Sequence, residues 1–291
     1  MKSPSRGGLK SAFSTKRRVW TGVIAAVVLA AAAGTVASAA NSSSSSTSAT
    51  TASSSYPTAI PTKASALSLT WPTATGTTNL TATKTVSSYD GGMKRVQGWG
   101  GSQDEDQDPL FIVKDGGTIQ NVIIGNKAGD GIHCEGTCLI KNVWWEDVGE
   151  DAATQKGKVS GQVMQIDGGG AKKADDKVFQ QNGPGKLVVQ NFVIQDFGKL
   201  YRSCGNCSTQ YQRSAEFYNV IVVDPGKSLA GINTNYKDTA TFKWIRLYDD
   251  DKSISICDKY TGNSSGKEPT KTGSGADGTY CKYSSSDITY K

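Results

Sequence analysis

Short runs of β-branched and aromatic residues alternate along the middle of the chain with Gly, Asp and Asn, and no run continues at helical spacing. Runs of this kind read as strands separated by tight turns. Four of them begin alike: Asn121-Val-Ile-Ile, Asn142-Val-Trp-Trp, Asn191-Phe-Val-Ile and Asn219-Val-Ile-Val. Trp244-Ile-Arg-Leu continues the series without the asparagine. The spacings are 21, 49, 28 and 25 residues, and the 49 divides into two coils if an extra strand lies near Val163–Ile166. A period in the twenties, with one aliphatic strand and one polar turn per repeat, predicts a solenoid. Leucine-rich repeats share the period, but these strands are rich in Val and Ile, so an all-β, single-domain parallel β-helix is expected. Stacked coils would bring Asn121, Asn142, Asn191 and Asn219 into a side-chain ladder that satisfies turn backbone groups.

Such a fold places residues of consecutive coils about 4.8 Å apart along one face. Asp130 follows the first of these strands, and Glu150 and Asp151 follow the second at nearly the same offset. The segment Ala174-Asp-Asp-Lys-Val178 brings Asp176 and Lys177 alongside one turn later. Several carboxylates in one patch repel unless a cation neutralises them, and an all-oxygen donor set favours calcium. The competing reading is a solvated acidic turn on each coil.

Charge alters the picture only once it is located. The formal net charge is +6, from 32 basic and 26 acidic residues. Six of the basic residues, Lys2, Arg6, Lys10, Lys16, Arg17 and Arg18, stand in the leader, so the remainder is balanced and no nucleic-acid partner is indicated. The leader ends its basic segment at Lys16-Arg17-Arg18, runs apolar from Val19 to about Val36, and closes with Ala37-Ser38-Ala39. That pattern predicts a cleaved secretory signal over residues 1–39 and a secreted, extracellular protein with no membrane association once the signal is removed. A single membrane anchor is the weaker reading, because the run is short and dominated by alanine. The adjacent arginines leave a twin-arginine route open. Residues 40–55 are almost wholly Ser, Thr and Ala and read as a disordered linker, which leaves 56–291 as the domain. Six cysteines in an exported chain point to disulfides, and the local pairing of Cys134 with Cys138, Cys204 with Cys207 and Cys257 with Cys281 is favoured over a four-cysteine zinc site.

Four segments then become specific: Asp130-Gly-Ile-His-Cys-Glu-Gly-Thr-Cys138, Val143-Trp-Trp-Glu-Asp-Val-Gly-Glu-Asp-Ala152, Ala174-Asp-Asp-Lys-Val-Phe-Gln180 and Gly198-Lys-Leu-Tyr-Arg-Ser-Cys-Gly-Asn-Cys207. With Gly226-Lys-Ser-Leu-Ala-Gly-Ile-Asn-Thr-Asn-Tyr236, they resemble the signature blocks of the secreted pectate lyases of polysaccharide lyase family three, in order from about Tyr89 to Tyr236. The resemblance implies a right-handed parallel β-helix, calcium dependence and cleavage of polygalacturonate by β-elimination. It also places the family's essential basic residues on Lys156, Lys177 and Arg202.

The chemistry can be matched to residues. A cation on Asp130, Glu150, Asp151 and Asp176 would stabilise the charge that develops on the uronate when its carbon-five proton leaves. Glu105, in the acidic run Ser102–Pro109, is a further candidate ligand; that run imitates an EF-hand start but has Pro109 where glycine is required. Lys177, adjoining Asp176, is the preferred base, with Arg202 as the alternative base or as a bidentate clamp on a substrate carboxylate. Lys156 would hold another uronate. His133 is expected to have a structural, hydrogen-bonding role, and Asp249-Asp250-Asp251 is expected to be a solvated turn. Trp144 and Trp145 should face opposite sides of their strand, one in the core and one open for sugar stacking. A polygalacturonase-type hydrolase and a non-catalytic polysaccharide-binding solenoid are the alternative functions, and a monomer is expected in either case.

Overall fold

The structure, a computed structural model, describes residues 58–291 apart from 101, 103 and 105. The expected signal and linker, 1–39 and 40–55, lie outside the described residues. Among the described residues there is no α-helix, only strands and two short 3₁₀ turns, and no helix is long and apolar enough to cross a membrane.

The strands wind as a parallel β-solenoid of about seven turns. Lys84–Gln97 pairs in parallel with Phe111–Ile124, which pairs with Ile132–Cys134 and Cys138–Trp145. The ladder continues through Ala153–Gln155 and Val163–Gln181, then Gly185–Ser203, Arg213–Asn233 and Thr239–Tyr248. The extra coil expected near Val163–Ile166 is present and extends to Gln181. The Gly- and Ser-rich stretch beyond Thr261 gave no reading from its sequence. It contains Thr270–Ser274, which pairs antiparallel with Ser255–Thr261 and folds a hairpin beside the last coils.

Side chains of equal register form the core. One inward column runs Ile119, Ile140, Ile166, Val189, Phe217 and Phe242, all inaccessible to solvent. A second runs Phe111, Ile132, Ala153, Phe179, Tyr201, Ala230 and Cys257, where the small residues make room for the large ones. Phe179 lies 5.9 Å from Trp145 and 5.4 Å from Phe192, centroid to centroid, and locks the two columns' neighbours together. Phe179→Ala should therefore lower unfolding free energy by about 3–5 kcal/mol in a denaturant titration. A loss below about 1 kcal/mol would show that this coil repacks freely.

The repeated asparagines stand at corners between sheets. Asn121, Asn142, Asn191 and Asn219 all have φ between 51° and 56°, a left-handed conformation that asparagine tolerates better than most residues. Their amides also bond along the axis: Asn142 donates to Asn121 at 2.9 Å and Asn219 to Asn191 at 2.8 Å. In the intervening coil Gly168 takes the positive φ, and the neighbouring Asp167 accepts from Asn191 at 2.9 Å. The ladder is thus present, with an acidic residue substituting in one rung.

Residues 58–75 lie along this asparagine-bearing face. Thr58 exchanges backbone bonds with the Gln165 amide; the Ser65 backbone N–H donates to the Asn219 amide oxygen, and the Asn219 amide N–H donates to the Ser65 hydroxyl. Trp145 is fully buried, as alternation requires. Trp144 points outward but is not open for sugar stacking: Trp71 packs edge-on against it at 5.1 Å, and its indole N–H donates to Asn142. The three local disulfides form as expected, Cys134–Cys138, Cys204–Cys207 and Cys257–Cys281, so no thiolate remains for a zinc site. Asp250 accepts bonds from Ser253 and Ile254 and closes its turn as expected.

Candidate active site

On another face of the solenoid, register alone brings the acidic residues together. Ile132 pairs with Ala153 and Ala153 with Phe179. Two residues earlier in each coil stand Asp130, Asp151 and Lys177, and Glu150 adjoins Asp151. The carboxylates of Asp130, Glu150 and Asp151 are all buried and offer oxygens within 4.8 Å of one another.

Burial without compensation is costly for such a group. Oδ1 of Asp130 and Oδ1 of Asp151 are buried and accept no hydrogen bond. Desolvation drives the Asp151 carboxyl well above the ordinary range, against the pull of Lys177 and with the added repulsion of Glu150 and Asp130. Asp130 is also raised by burial, but the His133 hydrogen bond at 2.6 Å and the charges of His133 and Lys156 outweigh it, leaving a net lowering. His133 therefore has the bonding role expected of it, directed at a member of the cluster. Lys156 Nζ lies 3.5 Å from the same carboxylate, half exposed at the edge. Thr154 donates to the far oxygen of Asp151 at 3.0 Å.

Lys177 is the main cation within this arrangement. Its ammonium lies 2.9 Å from Glu150, 2.9 Å from Asp176 and 3.7 Å from Asp151. Burial works to lower its pKa, but Asp151, Asp176 and Glu150 together raise it, so the proton is held firmly in the metal-free chain. Asp176 does not join the three converging carboxylates. It sits across Lys177 from Glu150, half exposed, and pairs with both Lys177 and Lys199. Glu105 lies outside the described residues.

Next along the coils is a cavity of about 500 Å³ lined by Asp176, Lys177, Lys199, Arg202, Tyr260 and Glu268, among others. Arg202 is largely buried in its wall. Its Nη1 donates to the carbonyls of Ser203 and Gly231 and to Oδ1 of Asn233, and Tyr260 stacks on its plane at 4.3 Å. Nη2 has no hydrogen-bond partner and lies beside Gly205, another cavity residue. Desolvation holds the guanidinium below its ordinary pKa, against weaker opposing effects of Tyr260, Tyr201 and Asp238.

Buried oxygens facing one another, cations on their open side and a polar cavity beyond suit a polyanionic substrate. A family model described as pectate lyase matches residues 68–267. The chain belongs to the pectate lyase family. It is thereby a polysaccharide lyase, as the signature blocks implied. The curated relatives include pectate lyase E of Emericella nidulans, 47% identical over 219 residues, covering 73% of this chain and 84% of the relative. Pectate lyase H of the same organism is 48% identical over 200 residues, covering 67% and 75%. The catalytic domain of pectate lyase PelI from Erwinia chrysanthemi superposes with a TM-score of 0.63 at 33% identity, covering 75% of this chain and 98% of that domain. A second PelI structure, bound to tetragalacturonic acid, gives 0.63 at 35% identity, over 73% and 70% of the two chains.

Two residues of the cavity and one behind its wall were missed in the sequence. Lys199 falls within a quoted block but carries no spacing signal of its own. Tyr260 lies outside every block, and Asn233 sits in one as an ordinary polar position. What draws them together is coil register: Lys177 pairs with Lys199, Arg202 with Gly231, and Tyr260 with Asn233.

Proposed function

We propose that this chain is a secreted, calcium-dependent pectate lyase that cleaves polygalacturonate by β-elimination. The observation that carries the reading is the set of three buried, mutually repelling carboxylates beside a cavity walled by Lys177, Lys199 and Arg202. The donor set fits a hard cation: carboxylate oxygens only, two of them buried and accepting no hydrogen bond. Asp130, Glu150 and Asp151 would hold it, while Asp176 stands across Lys177 at the cavity. Bound there, calcium would act as a Lewis acid toward a uronate carboxylate.

The residues of the chain supply the rest. A uronate in the cavity meets Lys199 and Lys177, whose charges fix its carboxylate, and Lys156 serves a neighbouring sugar. Of the two candidate bases, Lys177 stands among the carboxylates that would hold the ion, and Arg202 stands in the cavity wall with its Nη1 committed to Ser203, Gly231 and Asn233. The base takes the carbon-five proton; the carbon–hydrogen electrons form the double bond to carbon four, and the glycosidic oxygen departs with the bonding pair and takes a proton from solvent water. A base with so high an intrinsic pKa makes turnover rise toward alkaline pH. Three disulfides agree with an oxidising, extracellular destination.

One assay tests the whole reading. The protein is incubated with polygalacturonate, with calcium and then with excess chelator, while near-ultraviolet absorbance and reducing ends are followed. A lyase of this kind yields both signals with calcium and neither after chelation. Reducing ends without absorbance would identify a hydrolase, and the absence of both with calcium present a binding protein.

A further inference from the structure

The carboxylates of the candidate metal site stand in the turns that enter one column of short strands, Ala153–Gln155 and the stretches in register with it, 179–181 and 201–203. The turns that leave the same column enclose a second, smaller cavity of about 120 Å³. Lys156, Asn182 and Cys204 follow the three stretches directly. Their backbone N–H groups donate to Cys134, Gln155 and Gln181 at 2.9, 3.0 and 2.9 Å, so the ladder continues into these turns. Lys156 belongs to both places: it lines this cavity, and its Nζ lies 3.5 Å from Asp130.

One buried cation holds the walls. The Arg213 guanidinium is almost inaccessible to solvent and donates to the carbonyls of Asn182 at 2.7 Å, Gly183 at 3.1 Å, and Cys204 and Tyr211 at 3.4 Å. It also donates to the Gln210 amide oxygen at 2.9 Å, and Gln210 Nε2 in turn donates to the Cys207 carbonyl at 3.2 Å. The Cys204–Cys207 disulfide closes the loop between them. Backbone from separate coils thus converges on a single group, and the hollow is built into the fold before any ligand arrives.

Its lining differs from that of the larger cavity, where Asp176 and Glu268 stand among the cations. Here Lys156 and Lys158 are the only charged residues, and Ser208, Thr209 and Tyr211 supply hydroxyls. Lys158 is exposed and pairs with no carboxylate among the described residues. The Tyr211 ring is half-buried, with the Arg213 guanidinium 5.6 Å from its centre. Two ammonium groups over a preformed hollow edged by hydroxyls suit an anion that itself bears hydroxyl groups. A uronate answers that description: its carboxylate meets the ammonium groups, its hydroxyls meet Ser208 and Thr209, and the apolar face of its ring meets Tyr211.

We propose that the cavity bounded by Lys158 and Tyr211 is a further uronate subsite, which takes a sugar of the polymer beyond the one at Lys156 and makes cleavage more efficient on longer chains, an inference that rests on the polygalacturonate reading above. The test measures kcat and KM with calcium on oligogalacturonates from trimer to octamer, for wild type, Lys158→Ala, Lys158→Glu and Tyr211→Ala, with melting temperatures alongside. Lys158→Ala is expected to raise KM on the longest chains by about 5-fold, the scale of one exposed charge contact, with kcat unchanged. On the shortest chain that is cleaved, which does not reach the subsite, both constants should match wild type. Lys158→Glu should raise KM on the longest chains further, through repulsion of the carboxylate, and Tyr211→Ala should act with the same length dependence. Because Lys158 is exposed, its variants test the subsite even if Tyr211→Ala does not fold. Equal losses on every length, a loss confined to kcat, or an unchanged KM on the longest chains would overturn the subsite while leaving the lyase reading intact. A wild type that releases no unsaturated product from any of these chains with calcium would overturn that reading and the inference with it.

Discussion

Arg202→Ala is expected to lower kcat on polygalacturonate by about 10²–10⁴-fold, the range for losing a general base. The side chain is nearly buried, its Nη1 is committed to Ser203, Gly231 and Asn233, and its Nη2 stays unpartnered beside the cavity. A guanidinium held so tightly in the cavity wall presents its charge at one fixed place. Removal also leaves the Asn233 oxygen without its donor, so some stability is lost, and melting curves must accompany the kinetics. Steady-state rates at saturating calcium decide the matter: turnover within tenfold of wild type would show that Arg202 is not the base, and Lys177→Ala would become the variant to measure.

Asp151→Asn is expected to give opposite results with and without calcium. In the metal-free chain the Asp151 carboxyl is raised by desolvation and by its acidic neighbours. A carboxyl whose folded-state pKa exceeds its unfolded value binds extra proton on folding. Its contribution to stability therefore falls as pH rises from below the unfolded value through the folded one. At neutral pH in excess chelator, Asp151→Asn should melt at a higher temperature than wild type. Added calcium reverses the order, because wild type gains stability from binding, about 2.7 kcal/mol at a hundredfold excess over Kd, and the variant lacks a buried ligand. Turnover should fall by at least ~10²-fold, since several kcal/mol of charge stabilisation depends on the ion. Differential scanning fluorimetry in chelator and in calcium reads both effects. A variant that keeps the wild-type calcium shift would remove Asp151 from the metal site.

Much of this was legible in the residues, for a physical reason. A solenoid writes its period into the sequence, so Asn121, Asn142, Asn191 and Asn219 marked the coils, and equal offsets from them placed Asp130 beside Glu150 and Asp151. The fourth acidic residue was harder to place. Asp176 precedes Lys177 in the chain, but the strand turns there, and Lys177 rather than Asp176 enters the column of Asp130 and Asp151. The corner asparagines were assigned to a ladder without their left-handed backbone, which spacing alone does not encode. Trp144 failed for another cause: its partner Trp71 lies far upstream in a segment with no period, and nothing local announces that the two rings meet. The strand Thr270–Ser274 was illegible because it lies in a polar, Gly-rich stretch and pairs antiparallel with Ser255–Thr261, off the parallel ladder.

The groups at the reaction centre sit on successive coils, from Asp130 in the turn before Ile132–Cys134 to Tyr260 in Ser255–Thr261. Their separations follow from the register of the strands they adjoin. The molecule can therefore be lengthened in whole-rung steps at either end, giving a longer track for the polymer, while the distances among the reacting groups stay as they are.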